Sequence, residues 1–201
     1  MLTALAVAPA LAVAPALAAG PGVSGGAPVA PVNPTYAKSS DAKTRIDALY
    51  ARLLLAKDAE EAGAIASQID ELRLRDPSPT AELLMSRAIV ALNAKDYGLS
   101  LDLLDHVVAL WPDWTEGWNK RATVRWLAGD DKGSLADIAR TLKRDPRHWG
   151  ALDGKGFVLM REKDDTGALA AFRESLKVYP LQDSIRKLVD KLAVTVEGRD
   201  I

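Results

Sequence analysis

From Asp41 to the C-terminus, apolar residues recur every three or four positions, in segments of about 12–16 residues. This is the period of an amphipathic α-helix that buries one face. Short polar breaks separate the segments, at Lys95-Asp96, Gly129-Asp130 and Lys163-Asp164. Alternating apolar runs of the kind that form strands are scarce. The pattern therefore predicts an all-α fold of helices joined by short turns.

A repeat of 34 residues runs through these predicted helices and is marked by Pro112, Pro146 and Pro180. Five other columns keep the same step, and each holds one kind of residue: Ala88, Ala122 and Gly156; Ser100, Ser134 and Ala168; Asp96, Asp130 and Asp164; Leu84, Trp118 and Leu152; Leu104, Ile138 and Phe172. So many columns in register indicate an internal repeat of antiparallel helix pairs, each with a first helix (helix A) and a second helix (helix B).

Each column has a physical reason. Small residues belong where the axes of helices A and B approach most closely, because a larger side chain would overpack that contact. The Asp column falls at the start of helix B, where a carboxylate accepts a hydrogen bond from a free backbone N–H. The Pro column ends helix B, since proline lacks an N–H and restricts the residue before it.

These columns resemble the tetratricopeptide repeat, whose pattern is W-x2-L-G-x2-Y, then A-x3-F, then P. The matching residues in the best unit are Trp118, Ala122, Ser134, Ile138 and Pro146, and those in the next are Gly156, Ala168, Phe172 and Pro180. The resemblance implies an α-α solenoid of antiparallel helix pairs with a right-handed superhelical twist. The repeats are predicted at 81–114, 115–148 and 149–182.

The repeats are flanked by two further helical segments. Residues 41–79 read as a degenerate first pair, with helices near 41–56 and 59–75 that end at Asp76-Pro77, and Asp58 is placed to cap the second helix. Residues 183–197 are amphipathic and are predicted to form a capping helix over the apolar face of the last repeat.

The chain departs from the family pattern where Arg87, Arg121 and Lys155 replace a leucine. One interpretation is that their aliphatic stems lie along the helix pair while the charged heads reach water. The other is a basic ladder that faces an acidic partner. Because the net charge is −1, with acidic residues interspersed, the first is favoured.

In solenoids of this family, the resemblance implies, partners bind a concave groove lined by outward positions of the A helices. The predicted groove residues are Met85, Ile89, Asn119, Thr123, Trp126, Phe157, Met160 and Arg161, with Tyr50 and Leu54 as further candidates. Apolar groups with an Asn and an Arg among them suit an extended or helical peptide. Asn119 either hydrogen-bonds a peptide backbone or is a solvated polar position.

The tryptophans could instead form a stacking surface, since four of the five lie between Trp111 and Trp126. By repeat phase, however, Trp118 is a core residue, and Trp111 and Trp114 flank a terminating proline. Trp149 opens the next unit in the same region. Only Trp126 is predicted to face the groove.

The first 40 residues differ in composition from the rest, because no charged residue precedes Lys38. Residues 1–18 are rich in Ala, Leu and Val and end in Ala16-Leu17-Ala18, which favours a signal peptide cleaved near Ala18. The usual Lys or Arg after Met1 is missing. The alternatives are a membrane anchor, which interspersed prolines disfavour, and a disordered cytosolic tail. Residues 19–40 are rich in Pro, Gly and Ala and predict a flexible linker.

Composition and chemistry narrow the function classes further. The chain has 201 residues, 48% of them hydrophobic, and no cysteine, which excludes thiolate chemistry and lipid attachment through a cysteine. The near-zero charge gives no attraction to nucleic acid. His106 with Asp102 is interpreted as a helix-surface pair, and His148 falls in a turn between repeats. We identify no catalytic, metal-binding or cofactor-binding residues and expect no cofactor and no enzymatic activity.

Three functions remain open at this point. The first is a periplasmic or secreted scaffold that binds a protein or peptide partner in its groove, does not insert into the membrane after signal cleavage and assists envelope or secretion assembly. The second is a cytosolic chaperone or adaptor of a secretion system. The third is glycan or peptidoglycan binding through the tryptophans.

Overall fold

A computed structural model describes the backbone of residues 34–75 and 78–198, with side chains from residue 43 onward. The predicted signal peptide, the predicted linker up to residue 33 and Asp76-Pro77 lie outside the described residues. The described residues form nine helices and no strand. The helices are α1 (Pro34–Leu54), α2 (Ala59–Leu74), α3 (Pro79–Asn93), α4 (Tyr97–Leu110), α5 (Thr115–Leu127), α6 (Asp131–Arg144), α7 (Trp149–Arg161), α8 (Asp165–Val178) and α9 (Asp183–Glu197).

The predicted all-α solenoid is confirmed, and helices α3 to α8 form three antiparallel pairs in the order A, B. In each pair the B helix begins after an aspartate whose side chain accepts a backbone N–H: Asp96 from Leu99, Asp130 from Gly133 and Asp164 from Gly167. These bonds satisfy one of the free N–H groups of the first helical turn. The aspartates are caps, as the sequence predicts.

The turn before each of these caps holds a further column that sequence reasoning missed. Lys95, Gly129 and Lys163 each have a positive φ, of 60°, 87° and 65°. The left-handed residue lets the following aspartate N–H reach back to a carbonyl of helix A, as Asp96 does to Ala91 at 2.9 Å. A positive φ strains the two lysines, which a glycine would not be. The column is therefore set by backbone geometry and not by residue type.

The small-residue columns pack helix A against helix B as predicted. The hydroxyl of Ser100 donates to the carbonyl of Ala88, and that of Ser134 to the carbonyl of Ala122, both at 2.9 Å. The third pair has no hydroxyl here, and the ring of Phe172 occupies the space that a Cβ on Gly156 would need. Close approach of the two axes is thus the shared property of all three pairs.

Successive pairs stack through α4 on α5 and through α6 on α7. At the far end, α9 packs on α8 and buries Ile185 and Leu192 against Leu169 and Phe172. The apolar face of the last pair is therefore covered by α9, the role predicted for this helix.

The first helix pair differs from the expected first unit. Helix α1 begins at Pro34, inside the segment 19–40 predicted as a linker, and α2 is capped by Asp58, which accepts from Glu61 N–H at 2.8 Å. Within the described part of the chain, α1 packs on α2 and α8, and α2 packs on α1 and α5; neither lies along α3. The pair, called here the N-terminal hairpin (α1 and α2), folds back across the later units because its apolar face meets aromatic side chains there.

Candidate functional site

The inner face of the A helices α3, α5 and α7 carries the eight residues predicted to line the groove. They lie about one helical turn apart on each helix, so the A helices present them as parallel rows. The structure places these residues in two environments, which divide the groove along its length.

Two of the eight are buried at the end of the groove near the first turns of the A helices. Met85 is 3% exposed and packs in the core between α3, α4 and α5. Asn119 is 8% exposed, and its amide donates to Glu116 at 3.0 Å. The expectation that both side chains point outward is therefore wrong, because neighbouring elements cover them. The same end of the groove holds the most strongly coupled charges of the described chain.

The remaining six residues form the part of the inner face that stays accessible, which we call the open groove: Ile89, Thr123, Trp126, Phe157, Met160 and Arg161. Thr123 and Arg161 are exposed and the others half-buried. The rings of Trp126 and Phe157 lie 5.9 Å apart and join α5 to α7. The open groove is thus an apolar strip with a cationic end.

Arg161 is held in place instead of being a free cation. Its guanidinium forms an ion pair with Asp131, with Nε 2.8 Å from Oδ2, and donates to the Trp126 carbonyl at 2.8 Å. It also lies over the Trp126 ring, 5.2 Å from the centroid. These contacts fix the orientation of the indole, so the open groove has a preorganised wall.

The N-terminal hairpin closes the other end of the inner face. Arg73 of α2 lies 4.3 Å above the Trp149 ring and donates to Asp145 at 2.9 Å and also to Tyr50. Its own carbonyl accepts the Trp114 indole N–H at 2.9 Å. Arg73 is 8% exposed. One side chain therefore attaches the hairpin to two successive repeats by stacking, charge and a hydrogen bond.

Beneath Arg73 lies a buried ion pair between Glu116 and His148, which are 5% and 2% exposed. Their Oε2 and Nε2 atoms are 2.9 Å apart, and His148 Nδ1 accepts the Ala151 N–H at 3.2 Å. Because Nδ1 is an acceptor, the hydrogen on Nε2 is donated to Glu116. Burial alone would raise the pKa of Glu116, but His148, with Lys120 and Asn119, lowers it to about 2.

Arg121 is the main correction to the expectation that the basic substitutions reach water. It is 9% exposed, forms two 2.8 Å hydrogen bonds with the buried Asp137, and pairs with Asp105 of α4 at 2.8 Å. Only Arg87 and Lys155 of that column are exposed. The charge of Arg121 is buried because carboxylates from two neighbouring B helices surround it.

The other tryptophans are packing residues, as repeat phase predicts. Trp118 is 5% exposed and its indole donates to the Pro112 carbonyl at 2.8 Å, while Arg140 stacks on its ring. Trp149 makes edge contacts with the rings of Tyr50 and Tyr179. Trp114 is buried as well, and Trp111 is half-buried against the same core as Met85. These rings leave little free indole surface.

The predicted helix-surface pair of His106 with Asp102 involves the backbone: the ring Nδ1 lies 2.7 Å from the Asp102 carbonyl oxygen. Within the described residues, no three His, Asp or Glu side chains are grouped to hold a metal ion. No helix of that part of the chain combines the length and apolarity needed to cross a bilayer.

Sequence reasoning missed the cluster of Arg73, Glu116, Asp145 and His148. These residues are far apart in sequence, and the hairpin that joins them does not follow the repeat. One signal was available: the position of Trp114, His148 and Gln182 keeps the 34-residue step but changes residue type. All three are helix N-caps, yet each contacts a different neighbour.

The geometry defines the class of protein first: an α-helical repeat scaffold with a partly covered inner face. No profile of a known protein family matches the chain. It is 38% identical over 161 residues to a curated TPR repeat-containing protein of Rhizobium etli, covering 80% of this chain and 78% of the relative. The chain belongs to the tetratricopeptide-repeat family and is a scaffold for protein–protein interaction.

Solved structures agree on the fold. The Sgt2 TPR domain from Aspergillus fumigatus superposes with a TM-score of 0.57 at 19% identity, covering 61% of this chain and 82% of that domain. The first TPR domain of Spaghetti (RPAP3), bound to the HSP90 peptide SRMEEVD, gives a TM-score of 0.56 at 12% identity. That alignment covers 58% of this chain and 93% of that domain.

Proposed function

We propose that the protein is a non-enzymatic scaffold of the cell envelope that binds a peptide or helix of a partner protein in the open groove, and assists an envelope or secretion assembly. The observation that carries the proposal is the preorganised strip of Trp126, Phe157 and Arg161. Apolar side chains of the peptide would pack on the two rings and on Met160, while a carboxylate or carbonyl would face Arg161.

Three considerations support a peptide over other ligands. The open groove is an accessible strip along two helices, a shape suited to an extended or helical segment. A structural neighbour of the same fold was solved with a peptide bound. A glycan platform would need exposed indoles, and Trp114, Trp118 and Trp149 are buried. Trp126 alone offers too little stacking surface for a sugar chain.

Site-specific photocrosslinking tests the groove. A benzophenone side chain at Thr123, exposed inside the open groove, should capture a discrete protein in intact cells. The matched control carries it at Ala139, which is exposed on α6. Trp126→Ala in the Thr123 variant should abolish the product. Identical products at both positions, or none at Thr123, would reject the groove as the binding site.

The envelope location rests on residues 1–18 and needs its own test. N-terminal sequencing of the protein isolated from cells should give a mature chain that starts near Ala19. An intact Met1 would reject export and favour a cytosolic chaperone or adaptor. Because the crosslinking result does not depend on the compartment, the two experiments can fail independently.

A further inference from the structure

The exposed face of α3 is equivalent to faces that are buried in the later repeats. Leu83 and Val90 lie seven positions apart, two turns along one side of the helix. They are 52% and 68% exposed. Arg87 lies between them, is exposed and has no ion-pair partner among the described residues. Isolated exposed apolar residues are common, but these two share one face with a free cation.

The next two repeats show what such a face is built to contact. At the position of Leu83 they have Gly117 and Ala151, and at that of Val90 they have Val124 and Val158. All four are buried, and Val124 and Val158 are 0% exposed. The B helix of the preceding unit covers them in both repeats: α4 covers α5, and α6 covers α7.

The covering helix has a defined chemistry, seen most clearly in α4. Val107 and Val108 lie against Gly117, and Leu104 and Val107 share a core with Val124. Asp105, next to Leu104, pairs with Arg121 at 2.8 Å. Arg121 is the repeat equivalent of Arg87. A helix that fits α3 would therefore carry aliphatic residues one turn apart and a carboxylate beside the first.

No helix of this chain meets that description. The hairpin, which precedes α3 in sequence, has turned its aliphatic residues Ile65 and Ile69 toward Trp149, leaving them 1% and 0% exposed. A second copy paired through the same face is disfavoured by charge. In an antiparallel pair that matches Leu83 with Val90, the two Arg87 side chains would meet near the symmetry axis.

We propose that this α3 face, formed by Leu83, Arg87 and Val90, binds an amphipathic helix of a separate partner protein, with an acidic residue of that helix paired to Arg87. The partner helix would act as the missing B helix at the open end of the solenoid. Because Leu83 stands where the later repeats have Gly or Ala, the partner presents a small residue opposite it. This surface is separate from the open groove, so the proposal does not depend on the proposed function.

A peptide copied from α4 tests the fit. The probe is residues 96–112 with Val107→Ala, to make room for Leu83, and a hydrocarbon staple replacing the exposed Asp102 and His106. Its binding to the full chain is measured by fluorescence anisotropy. Val90→Asp should weaken binding about ten-fold or more, since a carboxylate would be buried in the apolar contact. Leu55→Asp, at a residue 80% exposed outside this face, should leave binding unchanged.

A charge exchange tests the role of Arg87. Arg87→Glu should weaken binding several-fold, and the same peptide with Asp105→Lys should restore it, because only a direct pair recovers when both charges are reversed. Absence of binding, or equal binding to wild type and Val90→Asp, would overturn the proposal. So would a fall in sedimentation coefficient caused by Val90→Asp, which would identify a second copy as the occupant.

Discussion

Glu116→Gln removes the buried carboxylate beneath the N-terminal hairpin and leaves its shape almost unchanged. The pKa of this carboxyl falls from 4.5 in the unfolded reference to about 2 in the folded protein. A difference of about 2.5 units corresponds to about 3 kcal/mol of stability at neutral pH. Breaking a buried pair by removing one partner costs a similar amount. We therefore expect Glu116→Gln to destabilise the protein by about 3 kcal/mol at pH 7.

The pH dependence of that loss follows from the direction of the shift. Because the folded pKa lies below the unfolded one, the stabilisation is fully present well above pH 4.5. It is lost as the pH falls towards 2. At pH 3.5 the wild type should have lost about 1.4 kcal/mol of it. Glu116→Gln has no carboxyl to protonate, so the difference between the two proteins should narrow by that amount.

Urea unfolding followed by far-ultraviolet circular dichroism, at pH 7 and pH 3.5, measures both quantities. The control is Glu71→Gln, since Glu71 pairs with Arg75 on the surface and both side chains are more than half exposed. That variant should differ little from wild type at either pH. A Glu116→Gln deficit that is the same at both pH values would refute the assignment of the stabilisation to the ionised Glu116.

Four other predictions follow from individual contacts. Ala122→Leu, at a 2% exposed position where α5 meets α6, should lower the free energy of unfolding in urea by about 1–3 kcal/mol. Trp126→Ala should cost about 2 kcal/mol in the same assay, since the half-buried indole packs on Phe157. Burial raises the pKa of Asp153 to about 6, partly offset by Ser175. Because that shift favours the protonated form, wild-type stability is lost as pH rises through 6, and Asp153→Asn should be more stable by about 1–3 kcal/mol at pH 7 but not at pH 4. Arg73→Met should speed hydrogen exchange in α1 and α2 and leave α5 to α8 unchanged.

The repeated part of the fold is predictable from sequence because each of its contacts recurs every 34 residues. The Asp caps, the serine-to-carbonyl bonds and the core position of Trp118 all depend on neighbours within one or two units. The hairpin contacts do not recur. Arg73 meets Asp145 and Trp149, more than 70 positions away, and no periodicity in the chain marks that pairing. The burial of Asn119 was missed for the same reason, since its partner Glu116 belongs to this cluster.

The position of the hairpin also accounts for the two accessible surfaces of the protein. If α1 and α2 stacked on α3 as a regular first unit, they would cover Leu83 and Val90 and leave Trp149 and the Glu116–His148 pair facing solvent. Their actual position does the reverse: it buries the charged end of the inner face and leaves the α3 face uncovered. Trp126, Phe157 and Arg161 are joined to one another and to Asp131, without a hairpin residue. Arg73→Met should therefore loosen the hairpin without changing photocrosslinking at Thr123, which separates the packing role of this cluster from the binding role of the open groove.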